Sequence, residues 1–174
     1  MKARPVEGLD CAGTFHENAA RIVRTRLDEL YAFDPAIRDP SNVTELHDMR
    51  IAAKRLRYVL EIVGFAFGPP GKLLQKEATW LQEVLGEVHD CDVLIPLVDE
   101  HVGRLRDIDR DHLLAYGGEP AALATSPNRT RYRGLEGLVA FLEARRQLRY
   151  EEFVDHWDRL LASQFRERVE TALV

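Results

Sequence analysis

His47, Arg50, Lys54 and Arg57 recur at three- and four-residue intervals, and side chains so spaced share one face of a helix. The window from Leu46 to Tyr58 holds Arg50, Lys54, Arg55 and Arg57 against Asp48 alone, so it carries +3 in a chain whose net charge is −5. The opposite face of the same helix is oil: Leu46, Met49, Ala52, Ala53, Leu56, Val59, Leu60, Val63 and Phe67 fall together at about 100° per residue. Such a helix buries one side and offers a row of cations on the other, which suits an anion. Flanking cations lower the pKa of His47 and favour a resident phosphate beside it.

Charges that fall among apolar positions mark further candidates, because a buried charge needs a partner or a ligand. Arg26 projects between Ile22 and Leu30, with Arg21 and Arg24 on the polar side of that helix. Arg146 and Arg149 project into the arc of Leu135, Leu142, Trp157 and Leu160, while Glu77 and Asp92 lie in the apolar arc of a third helix with His89 at its edge. Two readings stay open. Either Arg26, Arg146 or Arg149 pairs with Glu77 or Asp92 inside the bundle, or the cations, with Lys76 and Arg145, converge on a wet groove that holds an anion.

Other chemistries find less in the residues. His47-Asp48 and His89-Asp90-Cys91-Asp92 contain metal-ligand types, yet no His-x-x-x-His, Cys-x-x-Cys or Glu-x-x-His spacing is present, so no metal site is assigned. No glycine-rich phosphate loop or nucleophile elbow is present, so no catalytic residue is named and no cofactor is expected. A pI near 5.7 argues against nucleic acid held by bulk charge, and Trp80, Trp157, Phe141 and Phe153 read as packing rather than as stacking platforms.

The elements that carry these residues are all helical. Thr14 and Glu17 have the spacing of a capping box and open a helix that runs toward Phe33. Asn42 and Glu45 repeat the pattern at the start of the basic helix, and Gly68-Pro69-Pro70-Gly71 closes it. A third helix is expected from about Lys72, with Pro96 kinking it or starting a new segment. Residues 116–128 read as a loop, and helix resumes from about Thr130, with a break near Gln147 to Glu152 as one option. No strand is predicted. The expectation is an all-α helical bundle forming one domain over residues 1–174, with a first half at about 8–112 and a second at about 130–174.

With 45% hydrophobic and 30% charged residues the composition is that of an ordinary globular domain, and no apolar run is long enough to cross a bilayer. The start, Met1 to Glu7, lacks the apolar core of a secretory signal, so a cytoplasmic protein with Cys11 and Cys91 as thiols is expected. The sequons at Asn42 and Asn128 are then chance matches.

The run from His47 to Tyr58, followed by Leu81-Gln82-Glu83-Val84-Leu85-Gly86-Glu87-Val88-His89-Asp90-Cys91-Asp92-Val93, closely resembles the CHAD domain, the conserved histidine α-helical domain. The two motifs cover about a quarter of the chain. The resemblance implies a helical bundle whose basic groove binds inorganic polyphosphate, often in proteins found at polyphosphate granules, and it keeps open a metal-binding role for the histidines. By motif position it falls on His47, Arg50, Lys54, Arg55 and Arg57, and more loosely on His89; Arg21, Arg24, Arg26, Lys76, Arg145, Arg146 and Arg149 are added from charge placement. Arginine offers forked contacts to phosphate oxygens and lysine a mobile point charge. Family members usually have two similar helical halves, and the region after residue 110 is short here, which leaves the groove open on one side or completed by a second chain in a homodimer. A scaffold without ligand, with a merely solvated basic stripe, is the remaining alternative.

Overall fold

The computed structural model describes residues 2–173, and among them there is helix and turn but no strand. Five α-helices follow in order: α1 (Phe15–Tyr31), α2 (Val43–Val63), α3 (Gly68–Ala115), α4 (Tyr132–Ala162) and α5 (Phe165–Ala172). Short 3-10 turns at Ala36–Arg38, Gly64–Phe67 and Pro120–Thr125 join them. No helix among the described residues is long and apolar enough to cross a membrane.

The expected capping box opens α1: the Thr14 hydroxyl accepts from the Glu17 amide, and the Glu17 carboxylate accepts from the Thr14 amide at 2.8 Å. These donors hold the Glu17 carboxyl below the usual range. The second expected box does not form. The Asn42 side chain instead donates to the Ala36 carbonyl at 2.8 Å, fastening the preceding turn, and α2 starts without a side-chain cap.

Gly68-Pro69-Pro70-Gly71 begins α3 rather than ending α2, which stops at Val63. Both prolines occupy the first turn, where a missing N–H leaves nothing unsatisfied. Gly68 takes a left-handed conformation, φ +56°, and a Cβ on Gly71 would stand 2.2 Å from the Gly64 carbonyl oxygen, so the two backbones meet where only glycine fits. α3 then runs unbroken through Pro96, which faces solvent. α4 is likewise unbroken across 147–152, and the interruption falls at Gln164, φ +49°, just before α5.

The chain divides into two compact units, Met1–His89 with Arg149–Val174, and Asp90–Leu148, with the boundaries inside α3 and α4. The first unit holds the main core. Val23, Leu27, Met49, Leu56, Leu81 and Leu85 pack with Phe153 and Trp157, and Trp157 sits 4.7 Å from the Tyr31 ring. Burial raises the Tyr31 phenol to about 12. The apolar arc read on α2 is buried throughout except at Val59, which is half-buried.

In the second unit the distal parts of α3 and α4 form an antiparallel hairpin: Arg146 binds Asp92 at one end, and Tyr132 donates to Asp109 at 2.6 Å at the other. Asp109 is buried and also accepts from the backbone and side chain of Asn128. Burial works against its charge, but the Tyr132 and Asn128 donors hold the carboxyl below its ordinary value. Phe141, read as packing, is more than half exposed on this hairpin.

Candidate functional site

α2 places its cations because its other face is fixed in the core. With Leu46, Met49, Ala53, Leu56 and Leu60 all buried, helical geometry turns His47, Arg50, Lys54 and Arg57 outward along about 15 Å of axis, at 1.5 Å per residue. None of the four is fully exposed; each lies half-buried along the helix flank.

His47 meets His89 of α3, with the two Nδ1 atoms 3.3 Å apart and the ring centroids 4.4 Å apart. One ring donates to the other. Burial holds the His47 imidazole below the usual histidine range, and His89 and Arg50 add repulsion that Asp48 partly offsets. One turn along, Arg50 lies against Gly86, where a Cβ would stand 3.5 Å from its Nε. That Nε is buried and has no hydrogen-bond partner, and Arg50 is in no ion pair among the described residues. The Oε1 of Gln82, one turn before Gly86 on α3, is also buried without a hydrogen bond.

Lys54 and Arg57 flank the Tyr58 ring, at 5.7 and 4.7 Å from its centroid, a cation–π arrangement. The Arg57 Nε is 3.5 Å from Glu61, close enough for Coulomb attraction but without a hydrogen bond. Arg55, next in sequence to Lys54, is half-buried. Gly86, Gln82 and Tyr58 stand in the two family motifs but are not among the site residues expected from the sequence. Tyr58 has a further signal, since it lies four residues after Lys54; for Gly86 and Gln82 the motif gives no role, because only the packing of α3 on α2 brings them to the cations.

The remaining basic candidates divide by what they touch. Arg26 is buried and bonds Glu29 at 2.6 Å and the Arg4 carbonyl at 2.8 Å, so it serves the interior. Its partner is neither Glu77, which bonds His156 at 2.7 Å, nor Asp92. Arg146 does pair with Asp92, within the second unit. Arg149 bonds Glu87 at 2.7 Å and Glu152 at 2.6 Å, and those carboxylates hold its guanidinium above the ordinary value. Arg21 donates to Asn18 at 3.3 Å and Arg24 to the Leu173 carbonyl at 3.3 Å. Lys76 is exposed on α3 beside a shallow recess lined by Thr79, Trp80 and Glu83, and Arg145 is exposed on α4. The structure therefore brings together His47, Arg50, Lys54, Arg57 and His89, and leaves the others at separate positions or on acids.

Chemically, this strip can bind an extended anion. It offers two imidazoles, two guanidiniums and an ammonium with few acids in contact, and no hydroxyl or thiol nucleophile stands among the five. Among the described residues no group of three or more His, Cys, Asp or Glu is placed to hold a metal ion.

Comparison with known proteins agrees with this reading at the level of family. The model of the CHAD domain matches residues 21–173. No curated protein and no solved structure matches the chain.

Proposed function

Taking as premise that the chain belongs to the CHAD domain family, which the match over residues 21–173 establishes, we propose that it binds inorganic polyphosphate along the α2 strip without turning it over. The observation that carries this is Arg50: a half-buried guanidinium, held against Gly86, with no carboxylate in contact and one nitrogen lacking a hydrogen bond. Desolvating a cation without a partner costs free energy, and an arriving phosphate oxygen supplies the missing acceptor.

His47, Lys54 and Arg57 extend the contact along the helix, and His89 completes it from α3. A polyphosphate chain presents about one negative charge per internal unit and no bases to read, so a periodic row of cations is sufficient recognition. Attachment to polyphosphate granules in the cytoplasm is the cellular consequence we propose. With −5 overall, long-range steering is weak and binding depends on the local strip.

Calorimetric titration of long-chain polyphosphate at low and moderate salt tests the reading, with orthophosphate, RNA and zinc as matched ligands. Tight, salt-sensitive binding of polyphosphate alone is the expected result, lost in the triple variant Arg50→Glu, Lys54→Glu, Arg57→Glu with its helical circular dichroism retained. Unchanged binding in that variant overturns the assignment of the site. A second reading, a metal shared by His47 and His89, draws on their 3.3 Å approach and predicts zinc binding with no polyphosphate binding.

A further inference from the structure

The hairpin of the second unit has two unlike faces. On one, Arg106 faces Glu136 across the helices at 3.9 Å, and Asp99 and Glu143 line the same recess. Helical geometry then fixes the other face: positions about 180° away on both helices share it, because α3 and α4 run antiparallel. Those positions are Leu94, Leu97 and Ile108 on α3, and Leu138, Phe141 and Leu148 on α4.

All six are 41–66% exposed, while the hydrophobic residues this unit buries are only Cys91, Val102, Leu105, Ala122 and Leu142. The hairpin thus leaves more large apolar side chains in water than it covers, the reverse of a finished core. On α3 the stripe runs Leu94, Leu97, His101, Arg104, Ile108, and on α4 it runs Leu138, Phe141, Arg145, Leu148. Both follow the alternating three- and four-residue spacing of a helix that packs on another helix.

We propose that this face is a dimer interface, on which the hairpin of a second copy of the chain packs to give a four-helix layer with two-fold symmetry. Area supports a stable contact. The six side chains, each about half exposed, present on the order of 600 Å², and a standard interface takes roughly 800 Å² from each partner once its polar rim is included. Charge favours the antiparallel over the parallel orientation of the two copies. Between Asp90 and Glu100, α3 carries Asp90, Asp92, Asp99 and Glu100 and no base, whereas residues 104–111 set Arg104, Arg106 and Arg110 against Asp107, Asp109 and Asp111 and are neutral. A two-fold axis near His101 lays the acidic stretch of one copy beside the neutral stretch of the other and sets Leu94 across from Ile108. Parallel packing would stack acid on acid.

Sedimentation velocity and light scattering between about 1 and 100 µM test the proposal. The expected result is a two-chain mass for the full chain, and a one-chain mass for Leu97→Glu with Phe141→Glu that keeps its helical circular dichroism. Ala140→Glu, on the polar face, should remain dimeric. If the double Glu variant fails to fold, Leu97→Ala with Phe141→Ala replaces it and should dissociate at least tenfold more readily than the parent. A one-chain mass at every concentration, a dimer indifferent to both double variants, or an assembly larger than two overturns the proposal.

Discussion

His47 and His89 face each other across α2 and α3 with their Nδ1 atoms 3.3 Å apart, although 42 residues separate them in the chain. At that distance one ring can donate to the other while either is neutral, but two imidazolium rings would repel. Burial already holds the His47 imidazole below its ordinary value of 6.5.

The pH behaviour follows with a definite sign. A histidine whose folded pKa lies below the unfolded one contributes fully above the unfolded value and loses that contribution as the pH falls through the folded one. The ligand-free protein should therefore lose thermal stability as the pH drops from about 7.5 to 5.5, and His47→Gln should flatten the loss. Polyphosphate reverses the preference, because an anion beside the His47 ring favours its charged form. Affinity should rise about three- to tenfold over the same interval. Thermal melts with and without polyphosphate across that range check both halves.

Salt should separate the cations of the strip from one another. By analogy with counterion release from nucleic acids, each phosphate-contacting cation adds a little under one to the slope of log affinity against log salt. Arg50→Ala and Lys54→Ala should each lower the slope by about one, and Arg24→Ala, whose guanidinium bonds the Leu173 carbonyl, should leave it unchanged. Titrations at four salt concentrations give the slopes.

Glu29 is fully buried and holds both the Arg26 guanidinium and the Arg4 amide. Removing one member of a buried pair strands the other, at a cost of about 3–5 kcal/mol. Glu29→Ala should lower the urea midpoint accordingly while the folded fraction binds polyphosphate with unchanged affinity. A loss of affinity without a loss of stability would place Arg26 in the site after all.

Gly86 offers a graded test of how Arg50 is held. A methyl group there makes ordinary contact with the Arg50 Nε, so Gly86→Ala should bind within about twofold of the parent, and its better helix propensity should add up to about 1 kcal/mol of stability. Gly86→Leu fills the space the guanidinium crosses and should weaken polyphosphate binding about tenfold, the cost of displacing one charge-assisted contact.

What could be read beforehand was local. Thr14 and Glu17 close their capping box within four residues, and the apolar arc of α2 needs only a helical period. The Asn42 signal failed because its amide had a competing acceptor, the Ala36 carbonyl, on the turn just before it. Pro96 did not interrupt α3: it removes one backbone hydrogen bond on a solvent-facing side, which the surrounding turns of helix tolerate. Arg26 reads as an interior charge from its place between Ile22 and Leu30, yet spacing alone does not single out Glu29, three residues on, over the more distant Glu77 and Asp92. The His47–His89 approach lay beyond any periodicity, since it depends on how two helices pack, and only the paired family motifs hinted at it.

The first unit is discontinuous in the chain, and its core is closed by Phe153 and Trp157 from the segment that follows residue 148. During synthesis, therefore, α1, α2 and the start of α3 leave the ribosome with Leu27, Met49 and Leu56 lacking their aromatic cover. The intervening segment 90–148 takes about 3–12 s to emerge at roughly 5–20 residues per second. For that interval the nascent chain exposes apolar surface that the finished fold covers, and the basic helix is made well before the core that orients it is complete.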